Sequence, residues 1–271
     1  MVVYKTQDFS RWEYLGVVMT IASRPAGIEF RPHVVHNANT GKFVMWFEDR
    51  PSAIVSSGYS VATAVSPAGP FATVATKVAM ADVPGDFDLL VDDDGACYHV
   101  QTTTNDPNAT KGFVVTLLDS SYTQAAFPKK AAPFEAPMPA EGPVFFKREG
   151  LYYILGGTTC CACRGGSSIY VFVAPSPLGP WRFVSDIGST PHHQYDPSSR
   201  SNYVTGAQAS DVVQIGGGQF LWLGNQWYTG ATVNSNLMYW TVLDFRGDSP
   251  GAKKGAIAQV VYSNATTIVM P

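Results

Sequence analysis

One arrangement of apolar and polar positions returns along this chain: an apolar run, a short polar turn, then an apolar run rich in aromatic residues. The first copy covers residues 32–36, a turn at 37–42 and the run 43–47. The second is 87–91, the turn Asp92-Asp93-Asp94-Gly95, and 97–100. The third is 144–146, the turn Lys147-Arg148-Glu149-Gly150, and 151–155; the fourth is 211–215, Gly216-Gly217-Gly218, and 220–223. Short apolar runs separated by Gly-, Asp- and Asn-rich turns predict β-hairpins. A second unit follows the hairpins. A strand over 59–65 leads into Ser66-Pro67-Ala68-Gly69-Pro70-Phe71, and one over 169–174 into Ser176-Pro177-Leu178-Gly179-Pro180-Trp181, with shorter echoes at 6–12 and 117–122.

Two hairpins together make a four-stranded sheet of roughly 50–70 residues, the blade of a propeller. A β-sandwich gives no reason for the same pattern to recur, and helical periodicity is absent throughout. The expected fold is therefore all-β, a single five-bladed β-propeller with an incomplete first blade. The blades fall at 1–18 (an outer strand pair only), 30–82, 83–130, 137–188 and 205–263, the last using 237–245 and 256–262 as outer strands.

Composition narrows the function classes. The chain has 271 residues with only 14% charged and 13% aromatic, and its 25 Gly and 19 Pro suit many short strands. A net charge of −3 without a basic run speaks against a nucleic-acid partner. No apolar run is long enough to span a bilayer as a helix, so no membrane partner is expected. Residues 1–8 do not read as a secretory leader, so a secreted chain would be the processed form. The cluster Cys160-Cys161-Ala162-Cys163 and the sequons Asn108-Ala109-Thr110 and Asn264-Ala265-Thr266 favour an oxidising, extracellular setting. A local disulfide between Cys160 and Cys163 is the first reading and reduced thiols the second. A zinc site comes last, because no His-x-x-x-His or second Cys-x-x-Cys is present.

The candidate chemistry centres on Pro139-Ala140-Glu141-Gly142-Pro143. Glu141 stands in an apolar, proline-flanked stretch with no basic neighbour in sequence, where desolvation favours the protonated acid. Such an acid suits protonation of a departing sugar oxygen. Taken alone, Asp86 reads as a solvated turn residue and Gln208 as a polar residue at a strand start. Asp88 shares a strand face with Asp86. Trp46, Trp222, Trp227 and Tyr228 are flat apolar groups able to stack on sugar or fill the core. His33 and His99 fit buried structural positions, and His192-His193 lies in the loop 190–201.

Several of these pieces together resemble one family. Arg31-Pro32-His33-Val34, Asp86 with Asp92-Asp93-Asp94-Gly95, Glu141-Gly142-Pro143, Cys160-x-x-Cys163 and the Ser-Pro-x-Gly-Pro turns occur in the order found in glycoside hydrolase family 43, in its exo-β-1,3-galactanase branch. The resemblance runs from about Tyr4 to Tyr262. It implies a five-bladed propeller with an axial active site and an inverting mechanism. It implies that Glu141 is the general acid, that Asp86 orients it and raises its pKa, and that Gln208 holds the attacking water. Glu29, Arg31, Asp88, Trp46 and Trp227 are the expected substrate-binding residues, with Glu29 also a substitute base. No metal and no cofactor are expected. The expected partner is an oligo- or polysaccharide, the chain being a monomer. An α-L-arabinofuranoside or β-xyloside is the alternative substrate, and a non-catalytic sugar-binding propeller the alternative class.

Overall fold

The computed structural model describes residues 1–50, 58–80, 83–103, 111–158, 167–189, 204–226, 237–245, 255–258 and 260. Every strand pairing among them is antiparallel. A two-stranded ribbon comes first, β1 (Val2–Lys5) with β2 (Glu13–Val17). Four larger sheets follow, each a meander in chain order. The second sheet holds β3 (Ile28–Asn37), β4 (Lys42–Arg50), β5 (Gly58–Ala64) and β6 (Ala72–Val78). The third holds β7 (Phe87–Val91), β8 (Cys97–Thr102), β9 (Gly112–Leu118) and β10 (Ala125–Lys130), with β11 (Phe134–Glu135) also paired to β9. The fourth holds β12 (Ala140–Arg148), β13 (Leu151–Thr158), β14 (Tyr170–Ala174) and β15 (Arg182–Asp186). The last holds β16 (Ala207–Gln214), β17 (Phe220–Gln226) and β18 (Leu237–Val242).

This is an all-β, propeller-like arrangement of four sheets of three or more strands beside the ribbon. The expected hairpins fall on β3–β4, β7–β8, β12–β13 and β16–β17. The third sheet runs past the expected boundary at 130, because Phe134 pairs back to Phe113. The outer strand expected at 256–262 is present among the described residues only as a single bridge, Phe245 to Ile257.

The core explains why both faces of these strands are apolar. Four buried clusters lie between successive sheets: Val18, Phe47 and Phe71 between ribbon and second sheet, and Trp46, Tyr59 and Phe87 between second and third. Phe113, Ile154 and Phe172 lie between third and fourth, and Phe146, Trp222 and Tyr239 between fourth and last. Burying one such side chain contributes about 1.5–3 kcal/mol. A sheet packed on both faces cannot alternate apolar with polar along its strands, hence the continuous apolar runs in the sequence.

The first strand of each large sheet faces its neighbours: β7 touches β3 and β12, and β12 touches β16. The circuit closes where the Arg31 guanidinium at the start of β3 donates to the carbonyl of Ala209 on β16, at 3.3 and 3.4 Å. The ribbon adjoins both ends of the set. Val3 packs with the second sheet, while Phe9 and Trp12 meet Trp240 of β18 at 5.3 and 5.9 Å between ring centroids.

Candidate active site

Three of the four inner strands carry a register shift near their first residues. In β3 it lies between Phe30 and His33, in β12 between Glu141 and Val144, and in β16 between Ala209 and Asp211. A bulge adds a residue to one strand and re-aims the side chains beside it. Here the shifts fall at Arg31-Pro32, Gly142-Pro143 and Ser210. Arg31 adopts a φ of 47° and Gly142 one of 61°, the left-handed region that ordinary residues enter only at a cost. Gly142 is required twice over, since a Cβ there would meet Ala209 O at 3.2 Å and Gln208 Cγ at 3.4 Å.

These local features bring four polar side chains from four strand starts to one place. Gln208 Nε2 donates to Glu141 Oε1 at 2.8 Å. The next residue, Gly142, donates its N–H to Asp86 Oδ2 at 3.0 Å. Arg31 Nε lies 3.7 Å from Asp86 Oδ1. Gln208 is 4% exposed, while Asp86, Arg31 and Glu141 are partly exposed. The backbone around them is also tied between sheets. Thr102 Oγ1 donates to the carbonyl of Ala140, just before Glu141, at 2.8 Å. Tyr59 bonds Gly85, just before Asp86.

Further along the same strands lies a second polar layer. Asp88 Oδ2 accepts the N–H of Phe145 at 2.7 Å, and Asp88 Oδ1 lies 2.9 Å from His33 Nδ1. Asp211 stands nearby, its carboxyl pushed up to about 6 by burial first and by the charge of Asp88 second. A cavity of about 640 Å³ opens beyond this layer, lined by Asp88, Lys147 and Asp211 among others, and it includes none of Arg31, Asp86, Glu141 and Gln208. The two ends of the inner strands are thus chemically distinct.

The described geometry is a carboxylic acid held by an amide, beside a second carboxylate that binds the acid's own strand. The sequence pattern describing Glycosyl hydrolases family 43 matches residues 1–239. The chain belongs to that family. Solved family 43 structures share its fold. A β-1,3-galactosidase superposes with a TM-score of 0.78 at 20% identity, over 95% of this chain and 52% of the other. The exo-β-1,3-galactanase from Phanerochaete chrysosporium, bound to galactose, gives 0.75 at 22% identity over 96% of this chain and 56% of the other. The enzyme from Clostridium thermocellum gives 0.75 at 22%, over 97% and 59%. This chain therefore spans between half and two thirds of those proteins' lengths. No curated protein matches it.

In this family 43 chain the structure brings together Asp86, Glu141, Gln208 and Arg31 of the residues singled out from sequence. Gln208, expected to hold water apart from the acid, lies directly on it. Glu29 sits on β3 opposite Asp49 of β4, ion-paired with Arg24. Two expectations are corrected. Trp46 is fully buried and its Nε1 donates to Tyr122 O at 2.7 Å, so it is core and offers no face to a sugar. Asp88 is 4% exposed and committed to Phe145, its own neighbour Leu89 and His33, so it braces strands rather than meeting substrate. Trp222 is likewise fully buried. His99 is buried among Trp46, Tyr59 and Phe87, as a structural histidine should be. Trp227, Tyr228, His192, His193 and the cluster Cys160, Cys161 and Cys163 lie outside the described residues, while Cys97 is a buried free thiol.

Sequence reasoning missed Tyr59, Thr102 and Asp211. An aromatic within an apolar run carries no mark that its hydroxyl serves another sheet. Asp211, following Ser210 at the bulge, was the one with a signal: a carboxylate at the head of the apolar run 211–215.

Proposed function

We propose that this family 43 chain is an inverting exo-glycosidase that releases terminal galactose from β-1,3-galactan or arabinogalactan side chains, with Glu141 as its general acid. The observation that carries the reading is the 2.8 Å bond from Gln208 to Glu141, with Asp86 anchored on the adjoining amide. A general acid must be held in one orientation, and the Gln208 amide donating to Oε1 supplies that constraint on Glu141. Asp86 fixes the strand bearing that acid through Gly142. Gln208 has its amide nitrogen on Glu141 at 2.8 Å, far inside the roughly 6.5–9.5 Å that parts the acid from the water-activating group of an inverting site, so its part here is to orient the acid and not to hold the attacking water. Glu29, held by Arg24, is the carboxylate assigned to sugar hydroxyls.

The substrate assignment draws support from the galactanase and galactosidase neighbours, whose shared fold with this chain is close while their sequences are distant. The first ribbon, adjoining both the second sheet and β18, supports reading it as the outer half of a fifth blade. The secreted setting rests on the sequons and the cysteine cluster alone. The test is to incubate the protein with β-1,3-galactan and follow the sugar first released by proton NMR. Galactose appearing first as the α-anomer supports the reading. The β-anomer overturns inversion, and no galactose overturns the substrate.

A further inference from the structure

We propose that Tyr59, on β5 of the second sheet, is a positioning residue that holds Asp86 of the third sheet against the amide of Gly142 on the fourth. The inference deepens the reading of Glu141 as the acid and rests on it. The Tyr59 hydroxyl is fully buried; it donates to the carbonyl of Gly85 at 2.6 Å and accepts from the N–H of Gly85 at 2.9 Å. Gly85 is itself buried and precedes β7, beyond the reach of the strand ladder. Among the described residues the Tyr59 hydroxyl is its partner for both backbone groups, which would otherwise be buried without one. A buried phenol is an economical clamp, because one oxygen both gives and takes a hydrogen bond.

The clamp sits one residue before Asp86, so displacing Gly85 displaces the carboxylate. Asp86 in turn carries the 3.0 Å bond to Gly142, and Gly142 packs on Gln208. The Tyr59 ring has little freedom to relocate. It meets Phe87 at 5.0 Å, His99 at 4.9 Å and Trp46 at 6.2 Å, all at steep angles. Burial also holds the phenol well above its usual titration range, so the hydroxyl stays a neutral donor and acceptor. A ring that only filled the core would need no hydroxyl.

Tyr59→Phe separates these roles, because it keeps the ring. Amide hydrogen exchange is read at Gly142, whose acceptor is Asp86, and at Phe145, whose acceptor is Asp88, as internal control. The expected result is exchange about tenfold faster at Gly142, the worth of one hydrogen bond, with Phe145 unchanged. On β-1,3-galactan kcat should fall about tenfold with KM within about twofold, and the fall should vanish in an Asp86→Ala background, because the effect runs through Asp86. Should Tyr59→Phe not fold, 4-aminophenylalanine at position 59 keeps the ring and a donor to Gly85, and wild-type exchange at Gly142 is then expected. Unchanged exchange at Gly142 in Tyr59→Phe, or a kcat loss that persists undiminished in the Asp86→Ala background, overturns the proposal. Faster exchange at Gly142 in a protein that Glu141→Gln leaves fully active keeps the clamp and overturns the acid assignment instead.

Discussion

Two polar layers sit on the same inner strands, a few residues apart, and they are wired differently. In the first, Asp86 takes the amide of Gly142 while the neighbouring acid, Glu141, faces the neutral amide of Gln208. In the second, Asp88 takes the amide of Phe145 while a second acid, Asp211, faces it with His33 alongside. Both layers use one construction, a carboxylate at the start of β7 (Asp86 just before the strand, Asp88 within it) accepting a backbone N–H from β12. What differs is the facing group and the access to solvent. An amide can bond a carboxyl in either protonation state, so the first layer can change its proton without losing its geometry. The second places two carboxyls in a buried setting, where one is driven to keep its proton. Carboxylates two residues apart in the chain thus meet a neutral amide in one layer and a second acid in the other, according to what the next sheet offers them.

The sharpest way to break this comparison is to delete the two carboxylates separately. Asp88→Ala strands the Phe145 amide and should lower stability by about 2–4 kcal/mol, seen as a lower midpoint in urea unfolding. Asp86→Ala should cost far less stability but reduce galactan hydrolysis about 10²-fold, because the acid loses its bearing. Equal losses of stability would show the layers to be alike. Gly142→Ala comes next. It forces a side chain into a φ of 61° and against Ala209 O, and should cost about 1–3 kcal/mol with a parallel loss of turnover.

The smallest expected effect sharpens the second layer through pH. The Asp211 carboxyl titrates near 3.8 when unfolded and near 6 when folded, so folding takes up a proton between those values. Its share of stability is present below about pH 4 and lost as pH rises through 6. Asp211→Asn should therefore raise the melting temperature at pH 8, by the equivalent of about 1–2 kcal/mol, and leave it unchanged near pH 4. His99 acts in the opposite direction. Burial first, and then the charge of His33, bring its pKa down from 6.5 to about 3, so stability is lost as pH falls through that window, in wild type and variant alike.

Much of the fold is legible in the sequence, because hairpins announce themselves through turn residues: Asp92-Asp93-Asp94-Gly95 and Gly216-Gly217-Gly218 separate β7 from β8 and β16 from β17. Glu141 was legible for a related reason, since a lone acid in an apolar, Gly-Pro-flanked stretch needs an explanation. Trp46 was misread because an indole in an aromatic run looks the same whether it faces a sugar or a neighbouring sheet. Its placement depends on Tyr122, 76 positions away. The clamp from Tyr59 to Gly85 and the bond from Arg31 to Ala209 were invisible for the same reason, the latter joining residues 178 positions apart.

The central claim is that Glu141 delivers a proton to the departing sugar oxygen, and comparing leaving groups tests it most directly. Hydrolysis rates of wild type and Glu141→Gln are measured on β-1,3-galactan and on an aryl β-galactoside whose phenol leaves without protonation. The account predicts a loss of about 10²–10⁴-fold on galactan and a much smaller one on the aryl substrate. Equal losses on both substrates, or full activity of Glu141→Gln on galactan, would contradict it.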